Sequence, residues 1–274
     1  PEATIAVPEH TVPTSARDAA PAEASARLLI GNLEADARAF GVPHIPLSDQ
    51  RQGIVHVIGP ELGLALPGLT VLSGDSHAST QGAVGALAFG VGASDVAQAL
   101  ATQTIVLAKP RSMNVEITGR LAAGVSAKDL ALAIVAALGA SGATGHVIEF
   151  RGDAVHALDM AGRMTLCNLA IETGARTAVI APDEATVAYL RGRDYAPPAE
   201  HFDGALTYWR QLASDPGAVF DRVVAFDASG VVPMVTWGTN PETAVPIGGT
   251  VPAAEDEPDE AARAQRRRML AYMG

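Results

Sequence analysis

The sequence predicts an α/β protein made of three-layer α/β/α domains with mainly parallel sheets. Short apolar runs of strand length alternate with longer segments of helical periodicity, and glycines and prolines separate them. Strands that alternate with helices pair in parallel and are covered by helices on both faces. The chain has 274 residues, of which 48% are hydrophobic, and this is enough for two such domains without disulfides.

The first predicted domain spans residues 1–110, and the break Lys109-Pro110-Arg111 marks its end. The apolar segment 52–63 carries His56, and its periodicity leaves strand and helix both open. The other predicted elements are, in order, a strand at 3–7, a helix at 21–40, a strand at 69–72 and a small-residue helix that continues through Ala108.

The second predicted domain spans residues 111–236. Ser126 with Asp129 three residues later is typical of a helix start. The predicted strands lie at 113–118, 146–150, 177–180 and 223–226, and the predicted helices at 126–138, 163–173, 182–190 and 202–212. Residues 237–274 are predicted to form a Pro/Gly-rich connector followed by a charged helix at 258–272.

Charge, cysteine content and hydropathy exclude several classes of function. A formal net charge of -11 argues against nucleic acid as a partner. No apolar run has the length of a membrane span, so no membrane partner is expected, and the start carries no signal-peptide pattern. The single cysteine, Cys167, cannot form a disulfide within this chain and fits the reducing cytoplasm. Because the sequence begins at Pro1 rather than Met, we expect a processed or partial polypeptide.

An acid, a hydroxyl and an imidazole follow directly after the predicted strand at 69–72. In an open α/β sheet, ligands bind at the carboxyl ends of strands, which is where Asp75-Ser76-His77 lies. One interpretation makes this tripeptide a site of proton transfer or substrate binding. In the other, Asp75 caps the next helix and His77 is solvated.

Other polar side chains lie in apolar surroundings. Asn168 and Glu172 are four residues apart on a predicted apolar helix and therefore share one face. Glu172 is either exposed or turned inward to hold an imidazole in one tautomer. His10 and His56 are each open to a structural or a functional role, and His56 needs a carboxylate partner to stay charged among apolar neighbours.

Familiar catalytic motifs give little support to other functions. The chain has no phosphate-binding loop, and Gly90-Val91-Gly92 lacks the third glycine of a dinucleotide fingerprint. Gly74-Asp75-Ser76 and the Asp153-x-x-His156 pair match blocks of serine hydrolases, but both lie in the interior rather than near the two ends of the chain. Cys167 lies in an apolar helical run, where a thiol is usually inert.

Several longer blocks carry a recognisable pattern, namely Gly-Ile-Val-His-Val-Ile-Gly-Pro-Glu at 53–61, Gly-Asp-Ser-His at 74–77 with the glycines of 82–92, Ala-Thr-Gln-Thr at 101–104, Gly-His-Val-Ile-Glu-Phe at 145–150, Gly-Arg-Met-Thr-Leu-Cys-Asn-Leu-Ala-Ile-Glu at 162–172 and Val-Thr-Trp-Gly-Thr-Asn-Pro at 235–241. In this order they resemble the aconitase superfamily. Within it they are most similar to the large subunits of 3-isopropylmalate dehydratases, and the similarity runs from about Ala3 to Gly274.

This resemblance implies a hydro-lyase of leucine biosynthesis that removes water from a hydroxy-carboxylic acid and adds it back at the neighbouring carbon. It makes His10, supported by Glu9, the acid that protonates the departing hydroxyl. It further pairs His56 with Asp75 and His77 with Glu172, and we expect these groups to converge on one cleft. By resemblance, the catalytic residues are His10, Glu9, His56, Asp75, His77 and Glu172, and the substrate-binding residues are Ser76 and Asn168.

The resemblance also implies a cofactor and partners. In the family, a [4Fe-4S] cluster with one open iron acts as a Lewis acid on the substrate. Its cysteines belong to blocks downstream of the 271–274 region, and Cys167 matches a position that is not a ligand. We therefore expect no metal ligands in this chain and no iron bound by it alone. The family's substrate-binding arginines and serine base lie in its third domain and in its swivel domain or small subunit, so we expect such domains or subunits as partners.

Several hypotheses about function follow. The chain is part of an isopropylmalate dehydratase large subunit, a cluster-independent lyase that uses only the imidazole–carboxylate pairs, or a carboxylate-binding or scaffold module. Homoaconitase-type or secondary-metabolite acids stay open as substrates, because the residues present do not select the side group. Every acid–base residue that the resemblance places in this span is present, and this favours an enzyme.

Overall fold

The computed structural model describes residues 3–13 and 21–274, so that Pro1, where the first domain is predicted to start, lies outside it. The α-helices are α1 (Ala24–Ala39), α2 (Val55–Glu61), α3 (Ala93–Thr102), α4 (Ala127–Leu138), α5 (Asp153–His156), α6 (Met160–Leu169), α7 (Glu184–Leu190), α8 (Ala199–Trp209) and α9 (Glu260–Met273). The strands are β1 (Thr70–Ser73), β2 (Leu87–Gly90), β3 (Arg111–Thr118), β4 (His146–Arg151), β5 (Thr177–Val179), β6 (Arg222–Asp227), β7 (Met234–Thr236) and β8 (Ala244–Pro246). Two 3₁₀ helices, Ser76–Val84 and Ala170–Thr173, matter for the site.

Parallel pairing dominates the sheets. The largest sheet contains β5, β4, β3 and β6 in that order, and all of its neighbouring strands are parallel. β1 pairs with β2 in parallel, whereas β7 and β8 are antiparallel. Met113, Val115 and Ile117 on one face of β3 are fully buried, and Asn114 on the other face is buried as well. A strand buried on both faces is typical of a sheet between helix layers, and the predicted α/β fold class with three-layer α/β/α domains is confirmed.

Local sequence accounts for the elements of the larger sheet. The Ser126 hydroxyl accepts a hydrogen bond from the Asp129 backbone N–H, and the Asp129 carboxylate accepts one from the Ser126 N–H. This reciprocal pair satisfies donors that the start of α4 leaves free. Leu130, Ile134 and Val135 then bury the apolar face of α4. The strands and helices predicted between 111 and 236 lie within a few residues of their predicted bounds.

The chain before residue 110 departs from the prediction. The strand predicted at 3–7 is wrong in extent, because only Ala6 pairs, in an isolated bridge with His44. The ambiguous segment 52–63 contains helix α2. The helix predicted to continue through Ala108 is wrong, since the chain there forms the 3₁₀ helix Ser76–Val84, then β2 and α3. Small residues such as Ala86 and Ala88 are fully buried there, and burial against neighbouring elements overrides intrinsic helix propensity.

The 3₁₀ helix Ser76–Val84 packs against elements from both sides of residue 110, namely β1, β2 and α2 before it and α6 and β5 after it. The Ile180 N–H donates to the Gly82 carbonyl oxygen over 3.0 Å. This packing brings the carboxyl end of β1 next to the residues that follow α6. The division into domains at 110 and 236 stays a prediction.

Candidate active site

Asp75 is the centre of a cluster of three histidines. Its Oδ1 lies 2.9 Å from Nε2 of His56 and accepts a hydrogen bond from the His77 backbone N–H over 2.7 Å. Its Oδ2 lies 3.0 Å from Nε2 of His10. The His77 ring is also near, with Nδ1 3.9 Å from Oδ1. One carboxylate therefore orients two imidazoles directly and holds the backbone of the third residue.

Asp75 is held in place by the turn that follows β1. It is the N-cap of the 3₁₀ helix Ser76–Val84, and its side chain satisfies a free donor there. Gly90 of β2 lies directly beneath this turn, and a Cβ at that position would lie 2.6 Å from both the Asp75 carbonyl oxygen and the Ser76 Cα. The turn that presents Asp75 thus depends on the missing side chain at Gly90.

We expect Gly90→Ala to displace this turn and to destabilise the fold by about 1–3 kcal/mol, the usual cost of overpacking a tight contact. Denaturant unfolding measures the change, and amide shifts of Asp75 and His77 report the displacement. Gly31→Ala is the matched control, because a Cβ there meets nothing within 4 Å. Equal stability losses in the two variants would contradict the role assigned to the close contact.

Glu9 fastens the segment 3–13 to helix α2. Its Oε1 lies 3.1 Å from Nδ1 of His10, and its Oε2 accepts a hydrogen bond from the Val55 N–H over 2.7 Å. Gln52 adds a hydrogen bond from its side-chain amide to the Pro8 carbonyl oxygen. Glu9 and Asp75 therefore hold both ring nitrogens of His10, while the side chain of His10 stays 61% exposed.

His56 is the buried member of the cluster. Its side chain is 9% exposed, and its Nδ1 has no hydrogen-bond partner in the described part of the chain. Because the Asp75 carboxylate can only accept, we assign the proton to Nε2, and a neutral ring then leaves a bare lone pair at Nδ1. Burial lowers the pKa of His56 despite the attraction of Asp75 and Glu9. Protonation of Nδ1 would bury an unpaired N–H, which agrees with that direction.

The lowered pKa of His56 predicts how the stability of the fold changes with pH. The unfolded chain takes up the His56 proton at a higher pH than the folded chain, so stability falls as pH drops below about 6.5. We expect NMR titration to place the pKa of His56 below that value and His56→Gln to flatten the stability profile between pH 7.5 and 5.5. A His56 pKa at or above 6.5 would contradict the neutral assignment.

His77 lies between Glu172 and Ser76. Its Nε2 is 3.1 Å from Glu172 Oε1, and its Nδ1 is 3.1 Å from Ser76 Oγ. The Asn168 side-chain amide donates to Thr80 Oγ1 over 2.8 Å, and the Thr80 hydroxyl donates to the His77 carbonyl oxygen over 2.7 Å. Glu172 is thus turned toward an imidazole, and Asn168 reaches the cluster through Thr80.

The structure therefore brings together the residues that the sequence marked. Ser76 touches His77 directly, whereas Asn168 makes its contact one residue away. Thr80 and Gly90 were missed because both are common residues in a run of small residues, where nothing in the local pattern marks them. A serine hydrolase would need Ser76 and His156 to act together. The structure gives them different partners, since His156 bonds to Asp183 over 3.2 Å and Ser76 bonds to His77.

Metal and cofactor ligation by these residues is limited. Cys167 is fully buried, and burial raises the pKa of its thiol well above the ordinary value, so a thiolate is disfavoured. An iron–sulfur cluster needs several thiolates, and the chain contains one cysteine, so its residues do not fit a [4Fe-4S] cluster. Glu9, His10 and Asp75 place one ligand atom each within 4.8 Å of the others, but the two carboxylates already contact the two ring nitrogens of His10.

A family model described as Aconitase family (aconitate hydratase) matches residues 1–274. The chain therefore belongs to the aconitase family, whose members are hydro-lyases that act on small carboxylic acids and generally bind a [4Fe-4S] cluster. In the described part of the chain, the helices are too short or too polar to cross a bilayer.

Proposed function

We propose that the chain is the acid–base part of a 3-isopropylmalate dehydratase large subunit, acting in leucine biosynthesis. The observation that carries this proposal is the convergence of His10, His56 and His77 on Asp75, with Glu172 on the far side of His77. Dehydration needs a proton for the departing hydroxyl and a base for the neighbouring carbon, and positioned imidazole–carboxylate pairs supply such proton transfers.

His10 is the proposed acid. It is the most exposed of the three histidines, so a substrate can reach it, and contacts to Glu9 and Asp75 orient its ring. Buried His56 is instead a positioning residue, because its Nε2 orients Asp75. Ser76 and His77 form the proposed substrate-facing edge, and Asn168 holds that edge through Thr80.

Other polypeptide segments complete the proposed enzyme. The serine base, the substrate-binding arginines and the thiolates for a cluster would come from further domains or a small subunit, since this chain carries one buried cysteine. The same scarcity of cysteine supports a cytoplasmic location. It also favours one alternative, a cluster-independent lyase that works with the imidazole–carboxylate pairs alone.

Anaerobic iron–sulfur reconstitution of the chain with its small subunit tests the proposal. We expect 3-isopropylmalate to be dehydrated, with alkene absorbance as the readout, and His10→Gln to lower kcat by about 10²–10⁴ with little change in KM. His201→Gln on α8 is the exposed histidine control. Turnover without iron would favour the cluster-independent alternative, and binding of the acid without turnover would favour the carboxylate-binding module.

A further inference from the structure

A cavity separate from the histidine cluster lies at the carboxyl edge of the four-stranded sheet. Strands β3, β4 and β5 follow one another in one direction across the sheet, whereas β6 returns to the other side of β3. The strand order therefore reverses between β3 and β6, and in open α/β sheets ligands bind outside the carboxyl ends at such a reversal. A cavity of about 660 Å³ opens there, lined by Gly119, Arg120, Asp153, His156, Ala157 and Ser229.

These lining residues come from the ends of three neighbouring parallel strands. Gly119 and Arg120 follow β3, Asp153 and His156 form α5 directly after β4, and Ser229 follows β6. Glu172 of the candidate active site precedes β5 and so belongs to the opposite, amino edge of the sheet. The cavity is therefore separate from the histidine cluster.

The floor of the cavity is closely packed around Gly119. A Cβ at Gly119 would overlap the Ser229 hydroxyl and lie 2.6 Å from Asp227 Oδ1. Asp227 accepts a hydrogen bond from the Ser229 N–H, and the Arg120 N–H donates to the Ser229 hydroxyl oxygen. The ends of β3 and β6 are thus fixed relative to each other.

One wall of the cavity is an oriented imidazole. His156 Nδ1 bonds to Asp183, which is itself held by two hydrogen bonds of 2.7 Å from the fully buried Arg163 guanidinium. Arg163 also donates to the His156 carbonyl oxygen. Because the Asp183 carboxylate can only accept, the proton of a neutral ring lies on Nδ1, and Nε2 of this exposed ring offers a lone pair to a ligand donor.

Two opposite charges line the cavity without partners. Neither the Arg120 guanidinium nor the Asp153 carboxylate makes an ion pair or hydrogen bond within residues 3–13 and 21–274. A simple anion that bound Arg120 would be repelled by the carboxylates of Asp153 and Asp227. Asp183 adds little to this repulsion, because its charge is paired with that of Arg163. A ligand with an ammonium beside its carboxylate satisfies both charges.

We propose that this cavity binds a small zwitterion of the α-amino acid class, with its carboxylate on Arg120 and its ammonium on Asp153 and on the Nε2 lone pair of His156. The proposal is independent of the activity assigned to the histidine cluster. The Ser229 hydroxyl oxygen accepts a hydrogen bond from the Arg120 N–H, so its own proton can be donated to the carboxylate of the ligand.

NMR titration of the whole chain tests this with L-alanine and its two halves, propionate and ethylamine. We expect L-alanine to shift the amides of Gly119 and Ser229 without shifting those of Asp75 and His77, and to bind about tenfold more tightly than either half, as a charge-assisted hydrogen bond requires. Larger amino acids then identify the preferred side chain.

Charge-neutral variants make the test specific. Arg120→Gln and Asp153→Asn are each expected to weaken L-alanine binding about tenfold, whereas Arg38→Gln and Asp203→Asn on exposed helix faces leave it unchanged. Equal binding of propionate and L-alanine would overturn the role of Asp153. Absence of shifts at Gly119 and Ser229 with every amino acid would overturn the site itself.

Discussion

Asp75→Asn is expected to lower kcat of the assembled dehydratase by about 10²–10⁴, the usual contribution of general acid–base catalysis. The carboxylate oxygens accept from His56 and hold the exposed ring of His10, so the amide would oppose one imidazole N–H with an NH₂ group. The measurement is the initial rate of alkene formation, together with KM, in the enzyme reconstituted with its partner subunit.

Asp203→Asn serves as the control for Asp75→Asn, because Asp203 lies exposed on α8 and its side chain makes no contact with the histidine cluster. Circular dichroism and denaturant unfolding separate a catalytic loss from a folding loss. If Asp75→Asn retains more than a tenth of the wild-type kcat while it folds normally, Asp75 does not organise the acid–base residues.

Arg163→Met is expected to destabilise the fold by about 3–5 kcal/mol, the typical cost of breaking a buried ion pair from one side. The Arg163 side chain is 0% exposed and holds both carboxylate oxygens of Asp183. Burial alone would raise the pKa of Asp183, but hydrogen bonds and charge from Arg163, with a hydrogen bond from His156, hold this pKa well below its usual range. Loss of Arg163 therefore leaves a carboxylate that is partly buried and unpaired.

The penalty of Arg163→Met is expected to depend on pH with a defined sign. Because the folded-state pKa of Asp183 is depressed, the pair contributes its full stability above the unfolded value of about 3.9 and loses it as pH falls below that value. Urea unfolding at pH 7 and near pH 3 measures the difference, which we expect to shrink at the lower pH.

The exposed pair Arg267–Glu255 provides the control for Arg163. Its side chains are 59% and 69% exposed, and exposed pairs contribute about 0–1 kcal/mol. Adding Asp183→Asn to Arg163→Met is expected to recover part of the loss, because no unpaired charge then remains. A loss for Arg163→Met as small as that for Arg267→Gln would show that the buried pair is not a main stabilising contact.

Much of the larger sheet could be predicted from local patterns. The strands at 146–151 and 222–227 and the capped helix α4 were recognisable because apolar periodicity and the Ser126–Asp129 pair act over neighbouring residues. The segment after His77 could not be predicted in this way. Its small residues fit a 3₁₀ helix, a strand or an α-helix equally well, and packing against α6 and β5 decides among them.

The candidate site was also predictable only in part from local sequence. The position of Asp75 at the end of a predicted strand marked it as a candidate site residue. The roles of His10, His56 and Glu172 were implied only by the resemblance to a family. The contact of His77 with Glu172 spans 95 residues of chain. Nothing in local periodicity encodes a contact over that separation.

By itself, the sequence determined the class of the fold, the family and the scarcity of thiolate ligands, because these depend on composition, local periodicity and ordered blocks of residues. Only the tertiary structure decided that His10, His56 and the backbone of His77 meet at one carboxylate, and that Arg163 and Asp183 hold His156 beside the cavity at the carboxyl edge of the larger sheet. The reason is physical. Such contacts join side chains from distant segments, and the packing of helices and strands, not their local propensity, sets the distances between them.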